Sequence, residues 1–267
     1  MKQELSVVVH DGHGPPLLLV HGMLASRAQW LLNLPVLSTV TTPVSVELWG
    51  HHDSPSPSDP EAYKPANYSR MFEAIRERLG VDRWFVGGCS LGGALTMRYS
   101  LDNPDRVIGQ FLTNSSSAFA DEDTSKKWQE NSASSYERVL QGGMKAVARI
   151  PVHPRHATRL PENVKEALLQ DGESHDVKGI ASTMRWTSPF ASVRQHVAQS
   201  SVPTMLICGS FEKRFRPLRE YVILNMPGLV VHDLPAGHAV NMEAADGFNK
   251  HVAAFIREHM EEPVHGA

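Results

Sequence analysis

The residues Gly88-Cys89-Ser90-Leu91-Gly92-Gly93 follow the apolar run Trp84-Phe85-Val86 and open a helical run. A G-x-S-x-G pattern between a strand and a helix carries the serine hydroxyl at the apex of a sharp turn. The glycines have a steric reason, because side chains two positions before and after the apex would collide with the neighbouring strand and helix. A serine hydroxyl is a weak nucleophile at neutral pH and needs an adjacent base to take its proton. Of the 14 histidines, His238 is best placed, since Leu234-Pro235-Ala236-Gly237-His238 follows the last apolar strand and precedes an amphipathic C-terminal helix. A third group must fix the imidazole tautomer and stabilise its protonated form. Glu212 supplies it from the loop after Met205-Leu206-Ile207-Cys208-Gly209, whereas the other loop that could, Asn114-Ser115-Ser116-Ser117, carries no carboxylate. Negative charge developing on an attacked oxygen calls for two backbone N–H donors. Leu91 offers one at a helix N-terminus, and Met23, in His21-Gly22-Met23-Leu24, offers the other.

These residues must be held by a scaffold, and its elements are readable. Short, continuous apolar runs flanked by Gly and Pro predict buried parallel strands at Leu5 to Val9, Pro16 to His21, Val44 to Trp49, Trp84 to Cys89, Val107 to Thr113, Thr204 to Cys208 and Leu229 to Leu234. Helices are expected near Tyr68 to Leu79, Leu91 to Leu101 and Ala244 to Met260; in the last, Phe248, Val252, Phe255 and Ile256 share one face. The stretch from Ser117 to Ser200 is polar, helix-prone and free of a convincing strand. The expected class is therefore α/β: a doubly wound, mostly parallel sheet built from residues 1–116 and 201–267, with 117–200 inserted as a helical cap. Within the cap, Trp128, Trp186 and Arg185 are candidate substrate-binding residues, and the basic stretch Arg149 to Arg159 would favour a carboxylate-bearing substrate.

Bulk properties narrow the function classes. A net charge of -3 over 267 residues provides no field for nucleic acid. Cys89 and Cys208 show no disulfide or zinc spacing, which points to a reducing compartment. The run Met1 to Leu5 lacks the apolar stretch of a signal peptide, and no segment approaches the roughly 20 apolar residues of a membrane span, so a cytoplasmic location is expected. His51-His52-Asp53 is read as a structural loop near the pocket, not a metal site, because adjacent residues on a turn point apart. His10-Asp11-Gly12-His13 reads as a hairpin turn. The oligomeric state is open.

His21-Gly22-Met23, Gly50-His51-x-x-Ser54, the serine turn, Gly209-x-x-Glu212 and Gly237-His238-x-x-x-x-Glu243 together resemble the α/β-hydrolase family across nearly the whole core. In that fold the three groups come in the order Ser, acid, His, as they do here. His21 to Ser26 followed by Trp30, and Glu212-Lys213-Arg214-Phe215, are similar to the subgroup that includes succinyl-hydroxycyclohexadiene-carboxylate synthase of menaquinone biosynthesis. Two departures stand out: the family's usual acid is Asp, and the subgroup's Lys before Phe is Arg214. The expected function is hydrolysis of a small carboxylic ester or lactone through an acyl-enzyme on a Ser90, His238 and Glu212 triad, without a cofactor. The alternatives are a lyase that abstracts a proton with the same triad, as the resemblance implies, and a ligand receptor that retains the pocket.

Overall fold

The computed structural model describes residues 4–260; Met1 to Gln3, on which part of the leader reading falls, and Glu261 to Ala267 lie outside them. In chain order the main elements are β1 (Val7–Val9), β2 (Pro16–Val20), β3 (Thr42–Val46), α1 (Pro65–Arg78), β4 (Trp84–Gly88), α2 (Leu91–Asp102), β5 (Val107–Thr113), α3 (Glu122–Val147), α4 (Glu162–Gly172), α5 (Val177–Ser182), β6 (Thr204–Gly209), α6 (Arg216–Asn225), β7 (Val230–Leu234) and α7 (Ala245–Met260). The strands form one sheet in the order β1-β3-β2-β4-β5-β6-β7, antiparallel at β1 and β3 and parallel elsewhere. This is the α/β-hydrolase architecture.

Both faces of the sheet are covered, which is why its central strands read as unbroken apolar runs. On one face Leu18, Val86 and Leu206 pack with Phe72 of α1, Leu95 of α2 and Val222 of α6. On the other, Leu19, Phe85, Phe111 and Ile207 pack with Phe248, Val252, Phe255 and Ile256 of α7, the stripe that the helical spacing predicts. Each such fully buried side chain contributes roughly 1.5–3 kcal/mol.

Three expectations need correction. β3 spans Thr42–Val46, earlier than expected from hydropathy, because Val46 is the last residue paired with β1 and β2; Leu48 and Trp49 are buried beyond the ladder. The segment after β1 is not a hairpin. β1 pairs with β3, and the connecting residues run beside the approach to β3, with His10 N–H on Pro43 O and His13 N–H on Ser38 O, both at 2.9 Å. Helix α6 was not among the expected helices; its polar composition hides it, with Val222 its fully buried residue.

Between β5 and β6 the chain is helical, with no strand among the described residues, and α3 is broken at Gly143 (φ 58, ψ -151). This excursion sits on the core through close backbone contact. Gly50, at φ +71, lies so near α5 that a Cβ there would come within 2.4 Å of Gly179 Cα, and Asp176 N–H donates to Gly50 O at 2.9 Å. Leu24, from the turn after β2, packs into the excursion with Val139 and Val147 of α3 and Ile180 and Ala181 of α5. Among the described residues, no helix is long and apolar enough to cross a membrane.

Candidate active site

Ser90 adopts φ 53, ψ -117 between β4 and α2, a backbone region that non-glycine residues avoid. The surroundings enforce it. A Cβ at Gly88 would lie 2.4 Å from Gly92 O, and one at Gly92 would lie 2.2 Å from Val20 O, so only glycines allow α2 to start this close to β2 and β4. Ser115 Oγ donates to Ser90 O at 2.6 Å from the end of β5 and steadies the turn. Cys89 beside it is buried, and burial pushes its thiol up to about 12, which removes it as a competing nucleophile.

His238 follows β7 and Glu212 follows β6, adjacent parallel strands. Their loops are joined backbone to backbone, with Ser210 N–H on Leu234 O and Phe211 N–H on Ala236 O, both at 2.9 Å. A Cβ at Gly209 would meet Gly237 O at 1.8 Å, so the two loops touch where neither has a side chain. His238 Nδ1 stands 3.0 Å from both Glu212 carboxylate oxygens. The Nδ1 proton is therefore directed at the acid, leaving Nε2 as the lone-pair nitrogen. Glu243 closes the histidine loop by accepting Gly237 N–H at 2.7 Å.

Burial would raise the Glu212 carboxyl, but hydrogen bonding and charge attraction from His238, joined by Asn114, hold it below the ordinary glutamate value. Asn114 is a residue that the sequence reading passed over. Its Nδ2 donates to Glu212 Oε2, and its Oδ1 accepts Gly209 N–H at 3.0 Å. The loop dismissed for lacking a carboxylate thus supplies the acid's partner, through contacts 95 and 98 residues away in the chain.

In the turn after β2, Gly22 N–H donates to Gln29 Oε1 at 2.8 Å, Leu24 N–H to His51 Nε2 at 3.2 Å and Ala25 N–H to Gly22 O at 3.2 Å. The amides of Met23 and Leu91 have no acceptor among the described residues. Beneath the turn His21 Nε2 lies 3.0 Å from Glu47 Oε2. Burial would raise Glu47, yet His21 and Arg27 keep it below the ordinary value.

Ser90, Glu212, His238 and Met23 border one cavity of about 600 Å³, together with Trp128, Arg214 and the segment Pro151 to Leu160. No hydrogen bond joins the Ser90 hydroxyl to His238 in this structure; both border the same cavity, and catalytic hydrogen bonds often tighten only once substrate is bound. Trp128, a candidate substrate-binding residue, borders this cavity. Trp186 and Arg185 do not border this cavity: Trp186 packs on the core, and the Arg185 guanidinium lies 4.5 Å from the centre of its ring and 5.9 Å from that of Tyr136. Cation–π stacking thus occupies both candidates. Arg159, by contrast, borders the cavity mouth above Phe211. Among the described residues no group of three or more His, Cys, Asp or Glu side chains could hold a metal ion.

Comparison with known proteins agrees with this fold. A family model described as the alpha/beta hydrolase fold matches residues 15–245. A Bacillus subtilis (strain 168) protein, named provisionally as a 2-succinyl-6-hydroxy-2,4-cyclohexadiene-1-carboxylate synthase, is 21% identical over 244 residues, 89% of this chain and 88% of its own. Carboxylesterase YbfK of the same organism is 24% identical over 247 residues, covering 91% of this chain and 80% of its own. Among solved structures, MenH from S. aureus superposes with a TM-score of 0.82 at 15% identity, covering 98% of this chain and 100% of that one.

Proposed function

The chain belongs to the alpha/beta hydrolase fold family, and on that premise we propose that it hydrolyses a small carboxylic ester or lactone through an acyl-enzyme on Ser90. The observation that carries this reading is the pairing of His238 Nδ1 with Glu212 at 3.0 Å, beside the cavity that Ser90 borders from a strained turn. With Nδ1–H committed to the acid, Nε2 takes the proton from Ser90 as its oxygen attacks the carbonyl. The negative charge passes to the carbonyl oxygen, which the amides of Met23 and Leu91 stabilise. Collapse expels the alcohol, protonated by His238; water, activated by the same imidazole, then releases the acid and restores Ser90. Because the open cavity exceeds the needs of a bare acetyl group, small-molecule esters and lactones with a bulkier acid or ring are the favoured substrates.

A panel of p-nitrophenyl esters and lactones, assayed with wild type and Ser90→Ala, tests the proposal. Turnover should fall roughly 10³-fold or more in the variant; equal turnover by both would overturn it. The kinship with the synthase-named protein favours one second reading, in which the same base abstracts a proton and eliminates a leaving group. Pyruvate release from the menaquinone precursor, with no ester turnover, would select that reading.

A further inference from the structure

His51 is fully buried and takes no part in the chemistry assigned to Ser90, His238 and Glu212, yet its ring is held by two directed hydrogen bonds. Nδ1 donates to Trp49 O at 3.0 Å, which leaves Nε2 as the unprotonated nitrogen, and Nε2 accepts Leu24 N–H at 3.2 Å. Desolvation, with His175 and His21 alongside, holds this imidazole well below 6.5, so it remains a neutral acceptor.

Leu24 sits at φ 60, a left-handed conformation that leucine avoids, and is held there from two sides. Its amide is taken by His51, and its side chain by Val139, Val147, Ile180 and Ala181. One residue earlier, the peptide that contains the Met23 N–H has its carbonyl, Gly22 O, fixed by Ala25 N–H at 3.2 Å and by His21 Nδ1 at 2.7 Å. In a trans peptide the N–H points opposite to the C=O. Fixing the carbonyl inward therefore aims the Met23 N–H outward, to the side of Ser90, whose Cβ lies 3.3 Å from an ideal Cβ at Gly22.

We propose that His51 is a positioning residue for the oxyanion site: by accepting Leu24 N–H it locks the Gly22 to Ala25 turn in the form that directs the Met23 amide at the reacting oxygen. The inference rests on Ser90 being the nucleophile proposed above. It assigns a chemical task to the Gly50-His51 segment, and it ties the oxyanion donor to the seating of α3 and α5, which bury Leu24.

The test uses the full chain, comparing wild type, His51→Asn and His51→Gln in the rate at which a fluorophosphonate labels Ser90 over a range of probe concentrations. Glutamine reaches Leu24 N–H as the imidazole does; asparagine, one methylene shorter, does not. The maximal labelling rate should fall roughly 100-fold in His51→Asn. It should recover in His51→Gln, with the half-saturating probe concentration and the final labelled fraction unchanged. A merely structural role would lower the labelled fraction and leave the rate of the folded enzyme alone. A wild-type rate in His51→Asn, or equal slowing in both variants, overturns the proposal. If His51→Asn does not fold, amide hydrogen exchange in the wild type decides: slow exchange at Leu24 with fast exchange at Met23 is expected, and fast exchange at Leu24 overturns it. A wild type that labels at Ser90 but hydrolyses no ester removes the proposed hydrolysis and leaves this test readable. A wild type that does not label at Ser90 removes both.

Discussion

Both oxygens of Glu212 meet His238 Nδ1, and one of them also accepts from Asn114, so donors on two sides hold a charge that burial alone would neutralise. A carboxyl lowered in this way stays ionised above its unfolded value of 4.5 and gives up its charge only as the pH falls further. On the proposed mechanism Glu212→Gln removes the charge that would stabilise the imidazolium, and kcat for the best ester should drop roughly 10³- to 10⁴-fold. Asn114→Asp keeps an acceptor for Gly209 N–H but turns the donor facing Glu212 into a like charge. The acidic limb of kcat/KM should then move to higher pH, and a pH–rate profile that does not move would contradict the role given to Asn114. The gathering of Ser90, His238 and Glu212 at one cavity was legible in the sequence because each proposed role admits few residue types and the strand-end loops limit the positions. Asn114 was not, because its partners, Gly209 and Glu212, are 95 and 98 residues away, and nothing local marks an amide as a donor to a distant acid.

The serine turn was legible for a related reason: close approach of α2 to β2 admits only glycine at residue 92, so the constraint is written in one local motif. Gly92→Ala would press a methyl group against the Val20 and His21 carbonyls, at 2.2 and 2.5 Å, and these belong to backbone that cannot swing aside. A loss of about 3 kcal/mol follows from overpacking of this kind, measurable as a lower urea midpoint with an unchanged slope. The buried strands were equally legible, since helices on both faces force continuous apolar runs. Their ends were less so, as at β3, where hydropathy runs on to Trp49 while pairing stops at Val46. The excursion between β5 and β6 was legible as helix but not as geometry. Its contacts depend on how helices dock, which is why Trp128 reached the cavity while Trp186 and Arg185 stacked on one another.

Across the whole molecule, His21, His51 and His175 form a buried file in which successive ring centres are 5.1 Å apart, joining β2, the Gly50-His51 loop and the segment before α5. His175 Nδ1 accepts His52 N–H at 3.0 Å, 123 residues away in the chain, which is why no sequence spacing announces the contact. Burial, with His21 alongside, lowers His175 from 6.5 to about 4. The unfolded chain takes up that proton near 6.5 while the native state refuses it, so stability is complete above this value and declines as the pH falls toward about 4. His51 acts in the same direction, and Glu47, lowered from 4.5, adds to the decline below that pH. Thermal unfolding across this window should show a falling midpoint, with a shallower slope in His175→Asn, which keeps an acceptor for His52 N–H but cannot titrate; parallel slopes would refute the assignment. The cavity wall from Pro151 to Leu160 is built on a different plan. Its hydrogen bonds among the described residues close within residues 148–157, as in His153 N–H to Ile150 O at 3.0 Å and His156 Nε2 to Ala148 O at 3.0 Å. A turn that leans so little on its neighbours can change its sequence without loosening the loops that hold Ser90, His238 and Glu212, so on the proposed function it would tune which acyl groups fit and leave the reacting groups as they are.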